Sequence, residues 1–344
     1  MLRFNNDYNH GAHPAILQAL QETNDTAFGG YGMDEVCEAA KEAIQQYLQS
    51  PCSEIHFLVG GTQANYTVIA SILRPYQSVL AAETGHIAVH ETGAVEHTGH
   101  KVETLPQKDG KITAAQIEEA AVAYETSLIP EHITQPGMVY ISNPTEFGTI
   151  YSKAELEEIS RVCRAHGLPL FVDGARLGYA LGAADNDLTL ADLARLTDVF
   201  YIGGTKCGAL FGEAVVINNP GLQKCFRNNI KQNGGMLAKG WLLGLQYLTL
   251  FRDGLYFEIT KKADVLAMQI KEAFAAKGIP SYIESCTNQQ FVILENSQME
   301  TLAKNHIFEY DRKIDENHTC VRFCTSWAST QEEIDALTAD ISGL

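Results

Sequence analysis

A lysine set among small residues, Gly203-Gly204-Thr205-Lys206-Cys207-Gly208, follows the apolar run 199–202 and is the side chain best suited to covalent chemistry. Desolvation lowers a lysine pKa and yields an amine nucleophile, although a lysine can also extend its head to water and do nothing. A second segment, Phe171-Val172-Asp173-Gly174-Ala175-Arg176, ends an apolar run on an aspartate, which reads either as a helix cap or as a carboxylate held in a cleft. A third, Val59-Gly60-Gly61-Thr62-Gln63-Ala64-Asn65, lies between an apolar run and a helical pattern. Its glycines allow close backbone approach, and the free N–H groups of a helix start attract an anion; a Gly-Gly pair alone is equally a tight turn. Neither G-x-x-x-x-G-K-[ST] nor G-x-G-x-x-G occurs there, which removes the usual support for nucleoside triphosphates and dinucleotides.

An anion cradle, a carboxylate and a lysine on one sheet edge are together what pyridoxal 5'-phosphate requires. Its phosphate is an anion, its ring nitrogen needs an acidic partner to stay protonated, and its aldehyde needs an amine. The combination says more than any one segment.

The elements that must position these residues read as alternating β and α. Apolar runs at 55–59, 78–82, 138–142, 168–172, 199–202 and 214–217 predict buried strands, and the spacing over 62–73 predicts a helix. Ser152-Lys153-Ala154-Glu155 fits a capping box opening another helix. This order predicts an α/β fold, an open and mostly parallel sheet flanked by helices, with ligands beyond the carboxyl ends of the strands. After about residue 240 the pattern changes to a long helix over 256–276, strands at 290–294 and 320–325, a helix near 299–305 and a terminal helix from Thr330. The expected organisation is a large domain over 1–245, with a polar, extended N-terminal segment before Gly11 that packs away from it, and a smaller α+β domain over 246–344.

With 25 Lys+Arg against 42 Asp+Glu the formal net charge is −17, and no Lys/Arg run exceeds two residues. Nucleic acid and anionic membrane surfaces both need a positive face, so neither is an expected partner. No apolar run approaches the roughly 20 residues of a membrane span, and the start of the chain lacks the apolar stretch of a secretory signal. The eight cysteines form no C-x-x-C pair, as expected of reduced thiols in a cytoplasmic protein. His86, His90, His97 and His100 invite a metal reading, but the zinc-protease pattern needs a glutamate where Ile87 stands, so no metal is expected.

The ordered segments Ala27-Phe28-Gly29-Gly30-Tyr31-Gly32, Gly60-Gly61-Thr62-Gln63-Ala64-Asn65, Glu83-Thr84-Gly85-His86, Glu91-Thr92-Gly93-Ala94, Asp173-Gly174-Ala175-Arg176, Gly203-Gly204-Thr205-Lys206 and Val321-Arg322-Phe323-Cys324-Thr325-Ser326-Trp327 resemble the low-specificity L-threonine aldolases. The resemblance covers essentially the whole chain. It implies the aspartate-aminotransferase-like fold (pyridoxal-phosphate fold type I) of the beta-eliminating lyases and retro-aldol cleavage of β-hydroxy-α-amino acids to glycine and an aldehyde. It also implies a homotetramer, or at least a dimer, with the site at a subunit interface. Lys206 then matches the lysine bonded to the cofactor and Asp173 the partner of its ring nitrogen. Gly61 and Thr62 match the phosphate cradle, with Thr205 a further donor, and His86 the imidazole stacked on the ring. Arg176 and Arg322 match the arginines that hold the substrate carboxylate; Arg176 also stands among the cofactor contacts. Asn6 falls where the family often has a serine near that carboxylate, Tyr31 matches a Tyr-Gly pair, and Lys239 (or Lys231) matches a lysine reaching across an interface. One departure stands out: where many members have a second histidine, this chain reads Asn143-Pro144-Thr145-Glu146-Phe147-Gly148. A subgroup shares that form, and the group that takes the β-hydroxyl proton is left open among His86, His90, Glu91 and water. Other readings on the same cofactor are β-elimination and racemisation; a catalytically silent binding protein is the reading from another class.

Overall fold

The apolar runs at 138–142, 168–172, 199–202 and 214–217 lie side by side in one sheet, because strands apolar on both faces are stable only when layers cover both sides. The computed structural model describes all residues, Met1–Leu344. Its strands are β1 (Leu2–Arg3), β2 (Glu54–Leu58), β3 (Gln77–Ala82), β4 (Lys101–Leu105), β5 (Gln135–Ser142), β6 (Leu170–Asp173), β7 (Val199–Gly203), β8 (Glu213–Ile217), β9 (Gln289–Glu295), β10 (His306–Ile307), β11 (Glu309–Lys313) and β12 (His318–Cys324). Seven form the main sheet in the order β2-β8-β7-β6-β5-β3-β4. Only β8 is reversed: it pairs antiparallel with β2 and β7, and every other neighbouring pair is parallel. The carboxyl ends of β2, β3, β5, β6 and β7 therefore share one edge, and reversal brings the first residue of β8, Glu213, to that same edge.

Two core layers flank the sheet. One packs Leu80, Val139, Ile141, Val172, Phe200, Ile202 and Val216 against the helices of Ile44, Ile159 and Tyr247; the other packs Leu58, Val79, Tyr140, Phe171, Tyr201 and Val215 against Val68 and Ile69. Alternate residues of each strand enter opposite layers, as the pleat requires. The predicted capping box is present, with Ser152 accepting from Glu155 N–H and the Glu155 carboxylate reaching back to the Ser152 N–H.

The C-terminal part has its own antiparallel sheet, β11-β12-β9, over a separate core of Phe274, Val292, Leu294, Phe323 and Ile334. β1 pairs parallel with β10, and Phe4 is buried in that same core, so the first residues pack on the C-terminal unit. Residue 245 lies inside the helix Trp241–Phe251, and the longest helix, Leu255–Ala276, follows it. No helix is long and apolar enough to cross a membrane.

Candidate active site

Each of the three chemistry-bearing segments begins where a strand ends at the shared edge. β6 ends on Asp173 and β7 on Gly203, and backbone here passes backbone so closely that side chains are excluded. A Cβ on Gly174 would stand 1.9 Å from the Tyr201 carbonyl oxygen, and one on Gly203 would stand 2.3 Å from that of Ala175. Gly203 N–H instead donates to Gly174 C=O at 2.9 Å, holding the Asp173 turn against the Lys206 turn. The latter is closed by the N–H groups of Gly204 and Thr205, both donating to Gly212 C=O, and by Tyr179 Oη donating to Lys206 C=O at 2.7 Å.

Asp173 is buried, with four donors on its two oxygens: Tyr201 Oη and Ala175 N–H on Oδ1, Tyr140 Oη and Asn65 Nδ2 on Oδ2. Burial alone would raise its pKa, but the nearby His86 charge and the bonds from Tyr140, Tyr201 and Ala175 bring it below the usual carboxylate value. Asp173 is thus kept ionised. Lys206 experiences the reverse, since desolvation and the neighbouring Arg176 charge both lower its pKa.

The helix Gly61–Ile72 begins beside them. Its N-cap, Gly60, supplies no side-chain hydrogen bond, which leaves the first N–H groups of the helix free. Gly60, Gly61, Thr62, His86, Glu146, Asp173, Arg176, Tyr201, Thr205, Lys206 and Glu213 line one cavity of about 320 Å³. These groups fit pyridoxal phosphate: orphan N–H donors for an anion, an ionised carboxylate and a desolvated amine on one small cavity.

His86 opens a short helix after β3, with Nδ1 2.8 Å from Glu91 Oε1. That oxygen also accepts from Asn65 Nδ2 at 2.7 Å, so His86, Glu91, Asn65 and Asp173 form one chain of contacts. The Glu91 side chain is fully buried, while the His90 ring lies 5.5 Å from that of His86 on the exposed side. Glu146 stands on the cavity wall, where Oε1 accepts from His86 N–H at 2.9 Å and from Ser142 Oγ at 2.7 Å. Burial raises its pKa above the usual glutamate value.

A second cavity of about 670 Å³ adjoins the first through His86, Glu146, Arg176 and Lys206, and adds His90 and Arg322. Arg322 donates from Nη1 to Gln289 Oε1 at 3.1 Å and from Nη2 to Asn5 C=O at 2.9 Å, while its Nε–H has no partner. Arg176 is held by Asp7, Nε to Oδ2 at 2.7 Å and Nη2 to Oδ1 at 3.1 Å, and Asn288 Nδ2 donates to the same Asp7 carboxylate. Burial would raise Asp7, but Arg176 holds it at about 2.

Other anticipated residues stand elsewhere. Asn6 Oδ1 accepts from Tyr8 N–H, and Tyr8, not Asn6, lines both cavities. Tyr31 and Lys239 line neither cavity. Tyr31 N–H donates to Ala238 C=O beside Lys239, and Lys231 Nζ lies 4.8 Å over the Tyr31 ring, so these segments meet on a surface of their own. Thr205 reaches the cavity, but its hydroxyl oxygen is engaged with Glu213 Oε1 at 2.8 Å. Asp7 and Glu213 do not stand out in the sequence, and Asn65 ends the glycine segment with no role assigned to it; Glu213 left only the faint sign of an acid opening an apolar run.

The model of the family described as "Beta-eliminating lyase" matches residues 14–297. The chain is 30% identical over 345 residues to the low specificity L-threonine aldolase of Pseudomonas sp. (strain NCIMB 10558), covering 98% of this chain and 96% of that protein. A solved structure of Leishmania major threonine aldolase superposes with a TM-score of 0.97 at 44% identity, over 100% of this chain and 99% of that one. A putative histidinol-phosphate aminotransferase from Erwinia carotovora atroseptica shares the fold, with a TM-score of 0.74 at 15% identity over 99% of this chain and 95% of that one.

Proposed function

Because the chain belongs to the beta-eliminating lyase family, on its threonine aldolase branch, we propose that it cleaves L-threonine, L-allo-threonine and related β-hydroxy-α-amino acids to glycine and an aldehyde with pyridoxal phosphate. The observation that carries this reading is the convergence of a desolvated Lys206, an ionised Asp173 and the free N–H groups at Gly61 and Thr62 on one cavity. Lys206 would bond the cofactor, Asp173 would face its ring nitrogen, Gly61, Thr62 and Thr205 would hold its phosphate, and His86 would flank the ring. When bound, the cofactor supplies a protonated pyridinium ring that accepts the electron pair of the breaking Cα–Cβ bond.

The four donors on Asp173 fill the acceptor sites of a carboxylate, so a ring nitrogen reaches it only by displacing one of them. Tyr201 is the donor that also lines the cavity, and its hydroxyl is the one to yield. Arg322, on the wall of the second cavity, takes the substrate carboxylate together with Arg176. Asp7 occupies the Nε and Nη2 side of Arg176, which orients that guanidinium and leaves Nη1 for substrate. Two fixed arginines on one carboxylate restrict rotation of the amino acid, and so select which bond at Cα is aligned to break.

For the β-hydroxyl proton we assign Glu146. Its Oε1 is tied to Ser142 and to the His86 backbone, Oε2 has no protein partner, and burial makes the carboxylate a stronger base than in water. Glu146 fills the role that a second histidine would have served. His86, tied through Nδ1 to Glu91, is assigned to holding the ring.

Tyr31 and Lys239, which line neither cavity of their own chain, are assigned to the site of a neighbouring copy in a homo-oligomer of at least two chains, a tetramer by the family resemblance. The eight unpaired cysteines suit action in the reducing cytoplasm.

Product analysis tests the reaction. With threonine and pyridoxal phosphate, glycine and acetaldehyde in equal amounts are expected. Formation of 2-oxobutanoate and ammonia instead would move the reaction to β-elimination, and appearance of D-allo-threonine alone from L-threonine would move it to racemisation at Cα.

A further inference from the structure

Glu213 places a second buried carboxyl beside the anion cradle, where an anionic ligand is least expected to tolerate one. It opens β8 and is 3% exposed, opposite Gly203 of β7 on one side and Leu58 of β2 on the other. It lines the same cavity as Gly61, Thr62, Thr205 and Lys206. Oε2 accepts from Gly204 N–H at 3.2 Å, and Oε1 stands 2.8 Å from Thr205 Oγ1. Thr205 Oγ1 itself accepts from Gly212 N–H at 3.0 Å.

Counting hydrogens separates the two forms of this carboxyl. Ionised, Glu213 can only accept, so the single Thr205 hydrogen must point at it and away from the cavity. Protonated on Oε1, it donates to Thr205 Oγ1. That oxygen then accepts from both Glu213 and Gly212, and its own hydrogen is free to turn into the cavity. Only the acid form offers an anion a hydroxyl donor, and only that form removes a buried negative charge from beside it.

The surroundings do not neutralise the carboxylate. The titratable groups facing it are Asp173 at the end of β6, Tyr201 on β7, Lys206 and Cys207 in the following turn, Tyr247 on the helix Trp241–Phe251 and Tyr256 on the helix Leu255–Ala276. Lys206 is the one cation among them, and its own pKa is lowered. Burial is the largest influence on Glu213 and pushes it up to about 8.

We infer that Glu213 serves the phosphate site as a carboxylic acid: it donates to Thr205, Thr205 donates to the phosphate group, and a phosphate group that docks after Glu213 has ionised brings one proton with it from solvent. This inference rests on the reading of the cavity as a pyridoxal-phosphate site and deepens it.

The test measures binding rather than turnover. Apoprotein is titrated with 4'-deoxypyridoxine 5'-phosphate, which has no aldehyde to react with Lys206, and with inorganic phosphate as a ring-free competitor, at pH values from 7 to about 9.5. The wild type and Glu213→Gln are compared, since the amide also donates to Thr205 but does not titrate. Above the Glu213 titration, wild-type affinity is expected to fall about tenfold per pH unit relative to the variant. Calorimetry of the wild type in two buffers of different ionisation enthalpy is expected to show uptake of about one proton, attributable to Glu213 where the variant lacks it. Equal pH slopes for the two proteins overturn the inference. So does the absence of linked proton uptake in the wild type, a result that does not depend on the variant folding. Failure of wild-type protein to bind the deoxypyridoxine phosphate at any pH overturns the cofactor reading itself, and this inference with it.

Discussion

Burial acts on Lys206 and Asp173 with opposite results, because their neighbours differ. At Lys206 the Arg176 charge adds to desolvation and favours the neutral amine; at Asp173 the His86 charge and the donated hydrogen bonds override desolvation and keep the anion. These two residues could be singled out in the sequence because each stands within a short segment of small or apolar neighbours after a strand. Glu146, Glu213 and Asp7 were not assignable in that way. Their partners are Ser142 and His86, Thr205, and Arg176, and only folding brings the distant ones together. Glu146→Gln is expected to lower kcat by about 10²- to 10⁴-fold. Because the base must be ionised, wild-type kcat should fall as pH drops through the raised Glu146 titration, and that acid limb should vanish in the variant. A persisting limb would return the assignment to His86, His90, Glu91 or water. Arg322→Ala is expected to lower kcat/KM by roughly 30- to 1,000-fold, about 2–4 kcal/mol, if a largely desolvated ion pair with the substrate carboxylate is lost; unchanged kinetics would remove it from the site.

At the scale of elements, the reversed β8 and the two glycine contacts do most of the positioning. Reversal brings Glu213 to the edge where the other strands end, and no property of the run 214–217 announces the direction of a strand. The buried strands were readable as apolar runs with shifts of one to three residues at their ends. β4 (Lys101–Leu105) and β11 (Glu309–Lys313) were not, because they lie at sheet edges and carry exposed charged residues that break the apolar pattern. The helix near 299–305 forms at Asn296–Leu302, where Glu295 and Gln298 make a capping box that starts it earlier. Gly174→Ala puts a methyl group into the Tyr201 carbonyl oxygen, so the ends of β6 and β7 must part and Asp173 must shift relative to Lys206. A loss of stability of about 1–3 kcal/mol or more is expected, read as a lower urea midpoint, together with weaker cofactor binding. An unchanged midpoint would mean that the two turns are not held as tightly as their contacts indicate.

For the whole molecule, Asp7 joins parts that are distant in sequence. It belongs to the N-terminal segment, pairs with Arg176 after β6, and accepts from Asn288 just before β9 of the C-terminal sheet. Its pKa is lowered from 3.8 to about 2, so the pair contributes stability that is fully present above about pH 4 and is lost as pH falls through about 2. Acid unfolding in that window should be less steep for Asp7→Asn, whose stability is already lower at neutral pH. Removing one partner of a buried pair typically costs about 3–5 kcal/mol. Identical acid profiles for the two proteins would show that Asp7 does not carry this dependence. The passage to a separate antiparallel sheet was readable from the change of pattern after about residue 240, and the polar, extended start pointed away from the first part of the chain, but that it returns to the C-terminal core through Phe4 was not readable.

The most direct measurement is borohydride reduction of the protein loaded with pyridoxal phosphate, followed by peptide mass mapping and an acetaldehyde assay on the same sample. The expected result is cofactor mass fixed on the peptide containing Lys206 and on no other, with acetaldehyde release from threonine lost in proportion to that labelling. Labelling of a different lysine, or full labelling of Lys206 with threonine cleavage undiminished, would contradict the site described above.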